Sequence, residues 1–302
     1  MEFFRNLFQK LFGEASADEE EPATTAPLTD QQIESILHGE SIHFDLQQLV
    51  AAAGQSVGKQ RELNEDSLLA VTTTLAGNSG GLPFGLYIVA DGMGGHQYGE
   101  VASNVAIRIV GGHIMRKFQP YLFGIKPSSP DESLQEIMQA AVKDAQKTIQ
   151  SEAPSSGTTL TAALVLGQQV TIAHVGDSRA YNVHPDGRVE VITRDHSLVK
   201  RLEELGHISE DEAENYPHRN VLYRALGQGE ILEPDIFTVA FPQTGYLMLC
   251  SDGLWGVVAD QDIYRIIKES PNLQRACQNL VEAANTAGGP DNISVIVAQM
   301  IG

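Results

Sequence analysis

Between Thr159 and Val183 the chain carries three apolar runs, Thr159–Leu166, Val170–Val175 and Arg179–Val183, with only a few residues between neighbours. So short a gap lets a chain fold back and pair antiparallel, whereas parallel pairing needs a crossover of a dozen or more residues. A parallel doubly wound sheet is excluded for this stretch. Further strand-like runs lie at Gly85–Ala90, Tyr246–Cys250 and Ile293–Met300. Helical spacing of apolar residues predicts helices over Gly99–Phe118, Leu134–Ser151, Leu198–Leu205, Asp260–Glu269 and Leu273–Ala287. The long helices arrive in pairs and there is no internal repeat. The expectation is an α+β fold of antiparallel sheets with helices packed outside them.

Two regions stand apart. Residues 1–50 read as an amphipathic helix, an acidic linker and a short helix, ahead of a catalytic domain over 51–302. Phe3, Phe4, Leu7, Phe8, Leu11 and Phe12 share one helical face, Glu14 to Pro22 is acidic, and Thr29 with Gln32 forms a capping box. That first helix is read as docking on its own domain or on a protein partner. Membrane contact through residues 1–12 is the lesser reading, because two basic residues give little pull toward anionic lipid. The second region, Ser197–Glu233, is too long for an ordinary connection and carries its own capping box, Ser209 with Glu212. It is read as a flap of about 197–233.

Composition sets limits. At 42% hydrophobic in 302 residues there is ample material for a core. The net charge is −19 and no Lys/Arg cluster occurs, which argues against a nucleic-acid partner. Cys250 and Cys277 have no CxxC or zinc-ligand spacing and sit in apolar runs, as buried thiols do in a reducing compartment. No apolar run approaches the length of a membrane span, and Met1–Phe12 lacks a cleavage pattern. A cytoplasmic monomer is expected.

Four aspartates share one context: Asp91, Asp177, Asp252 and Asp291 each follow a hydrophobic run inside a Gly-, Ser- or Asn-containing turn. One such Asp is an ordinary turn residue. Four at converging strand ends make an all-oxygen cluster whose like charges call for cations. Oxygen ligation points to Mg²⁺ or Mn²⁺, and Gly after Asp lets a backbone carbonyl join. Two such ions about 3.5–4 Å apart, bridged by water, make a nucleophile for in-line attack on phosphorus. Arg61, beside Glu65 and Asp66, is the residue type that recognises phosphate bidentately. Ser251 and Cys250 lack the glycines of a nucleophile elbow, and Asp91–Gly95 fits neither nucleotide-binding glycine pattern.

Arg61…Asn64-Glu65-Asp66, Asp91-Gly-Met-Gly-Gly-His96, Gly99-Glu100, Ser156-Gly157-Thr158-Thr159, Gly176-Asp177-Ser178-Arg179, Asp195-His196-Ser197, Ser251-Asp252-Gly253 and Gly289-Pro-Asp291-Asn292 occur in one order. Over roughly Gly54 to Gly302 this resembles the metal-dependent serine/threonine protein phosphatases of the 2C type, in their bacterial branch. The resemblance implies a central β-sandwich of two antiparallel sheets flanked by helices on both sides, four layers in the order αββα. It implies Asp91 as the carboxylate bridging two Mn²⁺ or Mg²⁺ ions, with the Gly92 carbonyl at one of them. Asp252 and Asp291 would hold the other ion. Glu65 and Asp66 would act mainly through metal-bound waters, and Arg61 would bind the substrate phosphate. Asp177, with Asp252, would support a weaker third ion, and Asn292 would stand behind the ligands. Arg61 and Asp91 would carry the catalytic step. Animal and plant relatives often have a proton-donating His where this chain has Met93; His96 is read as helix-entry packing, leaving a metal-bound water as the donor. His196 is read as a structural hydrogen-bonding residue.

The implied function is hydrolysis of phosphoserine and phosphothreonine on proteins, opposing a cognate Ser/Thr kinase. The competing reading is a catalytically silent phosphatase-like regulatory module, which would be expected to lack one or more of these acids. A phosphatase for small phosphoesters is a third.

Overall fold

The computed structural model describes residues 47–77, 80–94, 98–123, 130–209, 212, 216, 221–229 and 232–302. The expected helix over Met1–Phe12, the acidic linker, the Thr29 capping box and His96 lie outside the described residues.

Two antiparallel sheets pack face to face. One has the order β1 (Gln48–Ser56), β11 (Ile293–Ile301), β10 (Tyr246–Cys250), β7 (Arg179–Val183), β8 (Val189–Val191). The other runs β2 (Asp66–Gly77), β3 (Gly80–Met93), β5 (Leu160–Leu166), β6 (Gln169–Val175), β9 (Asp235–Ala240), with the short β4 (Gly157–Thr158) on the end of β3. Helices α1 (Gly99–Leu122) and α2 (Leu134–Glu152) cover the second sheet. A short α3 (Leu198–Glu204) opens the flap, and α4 (Asp252–Trp255) follows β10. Helices α5 (Asp260–Glu269) and α6 (Leu273–Thr286) cover the first sheet. The four-layer sandwich implied by the motifs is the observed architecture.

Strand period explains why three cores form. Along β3, Phe84, Leu86, Ile88 and Ala90 face the helices, while Tyr87 and Val89 face the other sheet. Along β10, Met248 and Cys250 meet α5 and α6, and Leu247 and Leu249 enter the space between sheets. With both faces covered, these strands read as continuous apolar runs rather than as the alternation of a sheet with one wet face. Helix α1 answers with Ala102, Ala106, Val110, Ile114 and Phe118 on one stripe, Phe118 meeting Phe84 at 5.6 Å between ring centroids. Each fully buried aliphatic or aromatic side chain of this kind contributes roughly 1.5–3 kcal/mol. Cys250 and Cys277 are both unpaired and buried in the core under α5 and α6.

The structure adds elements that periodicity did not reveal. β1 is alanine-rich and begins ahead of Ala51; its extended form comes from a register with β11 that runs from Gln48 opposite Ile301 to Ser56 opposite Ile293. β2, with Val71 and three threonines, and β9, with Ile236, Phe237 and Val239, carry strand-favouring residues and are set in register by β3 and β6. Helix α1 continues past Phe118 to Leu122 although Pro120, inside it, has no N–H to give the carbonyl one turn back. The flap's Ser209–Glu212 box forms, with Ser209 N–H donating to Glu212 Oε2 at 2.8 Å and Glu212 N–H to Ser209 Oγ at 3.3 Å. The base of the flap is sewn to the sandwich: Leu198 N–H donates to Val221 O, Tyr223 N–H to His196 O, and Thr158 and Leu226 exchange backbone hydrogen bonds.

Candidate metal centre

Each acidic residue is delivered by an end of a strand or the turn beside it. Asp66 opens β2 and stands directly opposite Asp91 of β3 in the ladder. Like charges facing across a ladder are destabilising, so this pair is a cost that the sheet carries. Asp177 lies in the Gly176–Ser178 turn between β6 and β7, Asp252 begins α4 just after β10, and Asp291 ends the turn before β11. The turns that present them are fixed from behind. Asp91 N–H donates to Thr159 Oγ1 (2.9 Å), and its carbonyl accepts from Thr159 N–H and Thr158 Oγ1. Gly92 N–H donates to the Glu65 carbonyl at 3.1 Å. A Cβ at Gly92 would fall 2.2 Å from the Gly99 carbonyl oxygen and 2.6 Å from that of Glu65, so only glycine allows β3, the Glu65 loop and the start of α1 to meet.

The carboxylates feel one another. Asp91 is half-buried, and its pKa is raised well above the carboxylate range, first by desolvation and then by Asp66, Asp252, Asp177 and Asp291. Asp66 is pushed up to about 7 by burial, against the hydrogen bonds of Ser251 and Ser294, with Asp252 and Asp291 adding to the rise. Asp252 is raised to about 6 by burial and then Asp291, with a hydrogen bond shared with Asp91 holding it back. Asp177 is raised well above the ordinary value by burial and then by Asp252 and Asp195. Glu65 is raised by burial, with Arg61 opposing. Sequence order alone suggested that these acids converge; Asp66, Asp91, Asp177, Asp252 and Asp291 are close enough for each to feel the charge of at least one other.

That region fits hard cations. Its donors are oxygens, and two of them, Asp66 Oδ1 and Asp252 Oδ1, are buried with no hydrogen-bond partner. A buried unpartnered carboxylate oxygen is costly unless something electropositive meets it. Among the described residues no three His, Cys, Asp or Glu side chains already close on a single point, so the fit rests on donor chemistry and the orphaned oxygens rather than on a preformed cage.

Around the acids stand residues of three kinds. Arg61 is half-exposed and donates from Nη2 to Asp291 Oδ2 at 2.7 Å, which raises its pKa further. Asn292 was expected behind the ligands, and its side chain turns toward the Arg61 loop. Its Nδ2 donates to the carbonyls of Val57 and Leu63, and its Oδ1 accepts from Glu65 N–H, all at 2.8 Å. Ser251 is fully engaged, donating to Asp66 Oδ2 at 2.7 Å and accepting from Ser294 N–H at 2.9 Å, which leaves no role for it as a nucleophile. His196 bonds as a structural residue: Gly176 N–H donates to its Nδ1, so its Nε2–H donates to Asp235 Oδ2 at 3.1 Å. Met93 ends β3 opposite Gly157. Sequence reasoning missed the bracing roles of Ser251 and Thr159; the one available signal was, for Ser251, a hydroxyl next to a motif aspartate, and for Thr159 there was none, since it meets Asp91 from 68 positions away.

The family model described as protein phosphatase 2C matches residues 50–293. The serine/threonine phosphatase stp of Listeria innocua is 37% identical over 220 residues, covering 71% of this chain and 84% of that protein. The crystal structure of the Mycobacterium tuberculosis serine/threonine phosphatase PstP/Ppp superposes with a TM-score of 0.68 at 33% identity, covering 83% of this chain and 98% of that one. A structure of the PstP catalytic domain in complex with two manganese ions matches at 31% identity and a TM-score of 0.64, covering 85% of this chain and all of that one. Fold, acidic centre and sequence thus converge, and the chain belongs to the protein phosphatase 2C family.

Proposed function

We propose that this chain is a metal-dependent hydrolase that removes phosphate from phosphoserine and phosphothreonine on proteins. The observation that carries the reading is Asp91 standing opposite Asp66 in the ladder, with Asp66 Oδ1 and Asp252 Oδ1 buried without a partner and the charges of Asp177, Asp252 and Asp291 felt at Asp91. Asp91, the Gly92 carbonyl, Asp252 and Asp291 would hold two Mn²⁺ or Mg²⁺ ions, with Glu65 and Asp66 behind waters and Asp177 at a weaker third. When bound, the ions supply Lewis-acid stabilisation of the phosphoryl oxygens and an activated water.

The chain's own residues supply the rest. Arg61, reachable from solvent and fixed at one nitrogen by Asp291, offers its guanidinium to the phosphate. Asn292 keeps the Arg61 loop in one conformation, so the cation is pre-positioned rather than recruited. A groove lined by polar residues such as Asn64, Asp66 and Glu100 and by the apolar Leu68, Val101 and Ile107 opens beside Asp66 and offers a place for the segment flanking a phosphorylated side chain. Met93 has no proton to give the leaving alcohol, which leaves that step to solvent held at the acids. A silent regulatory module is disfavoured, since every expected acid and Arg61 is present.

The same reading takes residues 51–302 as the catalytic domain, preceded by a docking segment over 1–50, working as a cytoplasmic monomer opposite a Ser/Thr kinase. Two buried unpaired thiols support the reducing location, and no helix among the described residues is long and apolar enough to cross a membrane. The test is phosphate release from a phosphothreonine peptide and from p-nitrophenyl phosphate, with Mn²⁺ and with chelator. Metal-dependent release from the peptide is expected. No release from either substrate would refute the enzyme, and release from the small ester alone would refute the protein substrate.

A further inference from the structure

The chain contains a single tryptophan, and it stands where two of the acidic turns meet. Trp255 closes the short helix that Asp252 begins, three positions away and so on the same face of the turn. Its indole Nε1–H donates to the backbone carbonyl of Asp177 at 3.0 Å, across from another strand end. The Arg179 guanidinium lies over the indole ring, 3.6 Å from its centroid. Arg179 is in turn gripped by Asp195, with Nε donating to Oδ1 at 3.0 Å and Nη2 to Oδ2 at 2.7 Å. The far side of the Asp177 turn is also tied: Ser178 Oγ meets Thr159 Oγ1 at 2.6 Å, and the Ser178 carbonyl accepts from Thr161 Oγ1 at 2.6 Å.

A tryptophan N–H on a carbonyl is common packing. Here it adds a side-chain tie between two acidic turns that the β7–β10 ladder already brings together at Cys250 and Arg179, and the Oδ1 of Asp252, at the start of the same helix, is buried and unpartnered. We propose that Trp255 is a positioning residue that, clamped by Arg179 and Asp195, holds Asp177 beside Asp252 for a shared divalent cation. The proposal rests on the reading of Asp177 and Asp252 as cation ligands. It adds what sets the affinity of the outer ion: rigidity of the turn rather than a further ligand. Breaking the indole bond frees the Asp177 carbonyl, and the carboxylate must then be ordered when the ion binds.

Two measurements on the full chain test it. The first is Mn²⁺ titration followed by the emission of the one tryptophan, since a paramagnetic ion close to the indole quenches it. Saturable quenching is expected in the wild type, and its weakest step should vanish in Asp177→Asn, which keeps the indole. The second counts bound Mn²⁺ by electron paramagnetic resonance. In Trp255→Phe, which keeps a ring under Arg179 but deletes the N–H, the weakest binding step should weaken about five-fold, as loss of one hydrogen bond implies, with the tighter steps retained. Should Trp255→Phe fail to fold, Arg179→Lys, which loosens the clamp on the indole and keeps the single tryptophan, takes its place in both measurements, and a weakest step left unchanged there overturns the positioning role. If Asp177→Asn removes a binding step that Trp255→Phe leaves untouched, the positioning role is overturned and the ligand reading survives. If neither Asp177→Asn nor Asp252→Asn alters any step, the ligand reading itself has failed.

Discussion

Replacing Asn292 by alanine should loosen the Arg61 loop without touching an acid. Asn292 is almost fully buried, and its side chain makes three hydrogen bonds of 2.8 Å to backbone groups of Val57, Leu63 and Glu65. Its own backbone N–H to Asp291 Oδ1 survives the change. Each lost bond is worth about 1 kcal/mol, and the partners left behind are not all reachable by water, so the total is about 3 kcal/mol. For a domain of this size that corresponds to a fall in Tm of about 6–12 °C. Asn292→Asp should be worse still, since it keeps the acceptor for Glu65 N–H but sets a carboxylate oxygen against two carbonyls. The assay is thermal unfolding by circular dichroism in chelator, so that metal binding does not contribute. A Tm lowered by less than about 2 °C in Asn292→Ala would refute the bracing role, and an Asp variant more stable than the Ala variant would contradict the bond directions.

Other consequences are as direct. Arg61→Ala removes a charge-assisted phosphate contact worth about 1.5–3 kcal/mol, so kcat/KM for a phosphothreonine peptide should fall about 10–100-fold, mainly through KM; unchanged steady-state kinetics would remove Arg61 from the site. Gly92→Ala places a Cβ 2.2 Å from the Gly99 carbonyl oxygen, and overpacking against backbone should cost at least about 1–3 kcal/mol, read as a lower urea midpoint. Acidity should act against the usual direction in metal-free protein. Asp66 at about 7 and Asp252 at about 6 are raised above their unfolded value, so their contribution is full below that unfolded value and is lost as pH rises through the folded ones. The gain in Tm on adding Mn²⁺ should therefore grow from about pH 5.5 to about pH 8, and a gain that shrinks would contradict the repulsion between the acids.

What could be read beforehand divides along physical lines. β7 and β10 run over the residues expected, and α5 over its full predicted span, because continuous apolar runs and a strong helical period leave little choice. β1 was hidden because an alanine-rich run does not declare a strand, and β2 because its strand-favouring residues form neither one apolar run nor a strict alternation; β11 and β3 set their registers. The acids themselves were legible from their repeated context and their order along the chain. Their bracing was not, because it depends on contacts between residues far apart, such as Ser251 with Asp66, separated by 185 positions, and Trp255 with Asp177, separated by 78. Asn292 illustrates the difference: its place beside Asp291 marked it as a supporting residue, but only the fold reveals that it supports the arginine loop.

The central claim is that the converging aspartates bind the divalent cations on which turnover depends, and Asp252 is the most economical place to test it. Its carboxylate carries a buried oxygen without a partner and lies within the field of Asp291. The measurement is Mn²⁺-dependent phosphate release from a phosphothreonine peptide by the wild type and by Asp252→Ala, each checked for folding by circular dichroism. The account predicts release by the wild type that chelator abolishes, and none above background from folded Asp252→Ala at any Mn²⁺ concentration. Near-normal rates from that variant would contradict the assignment.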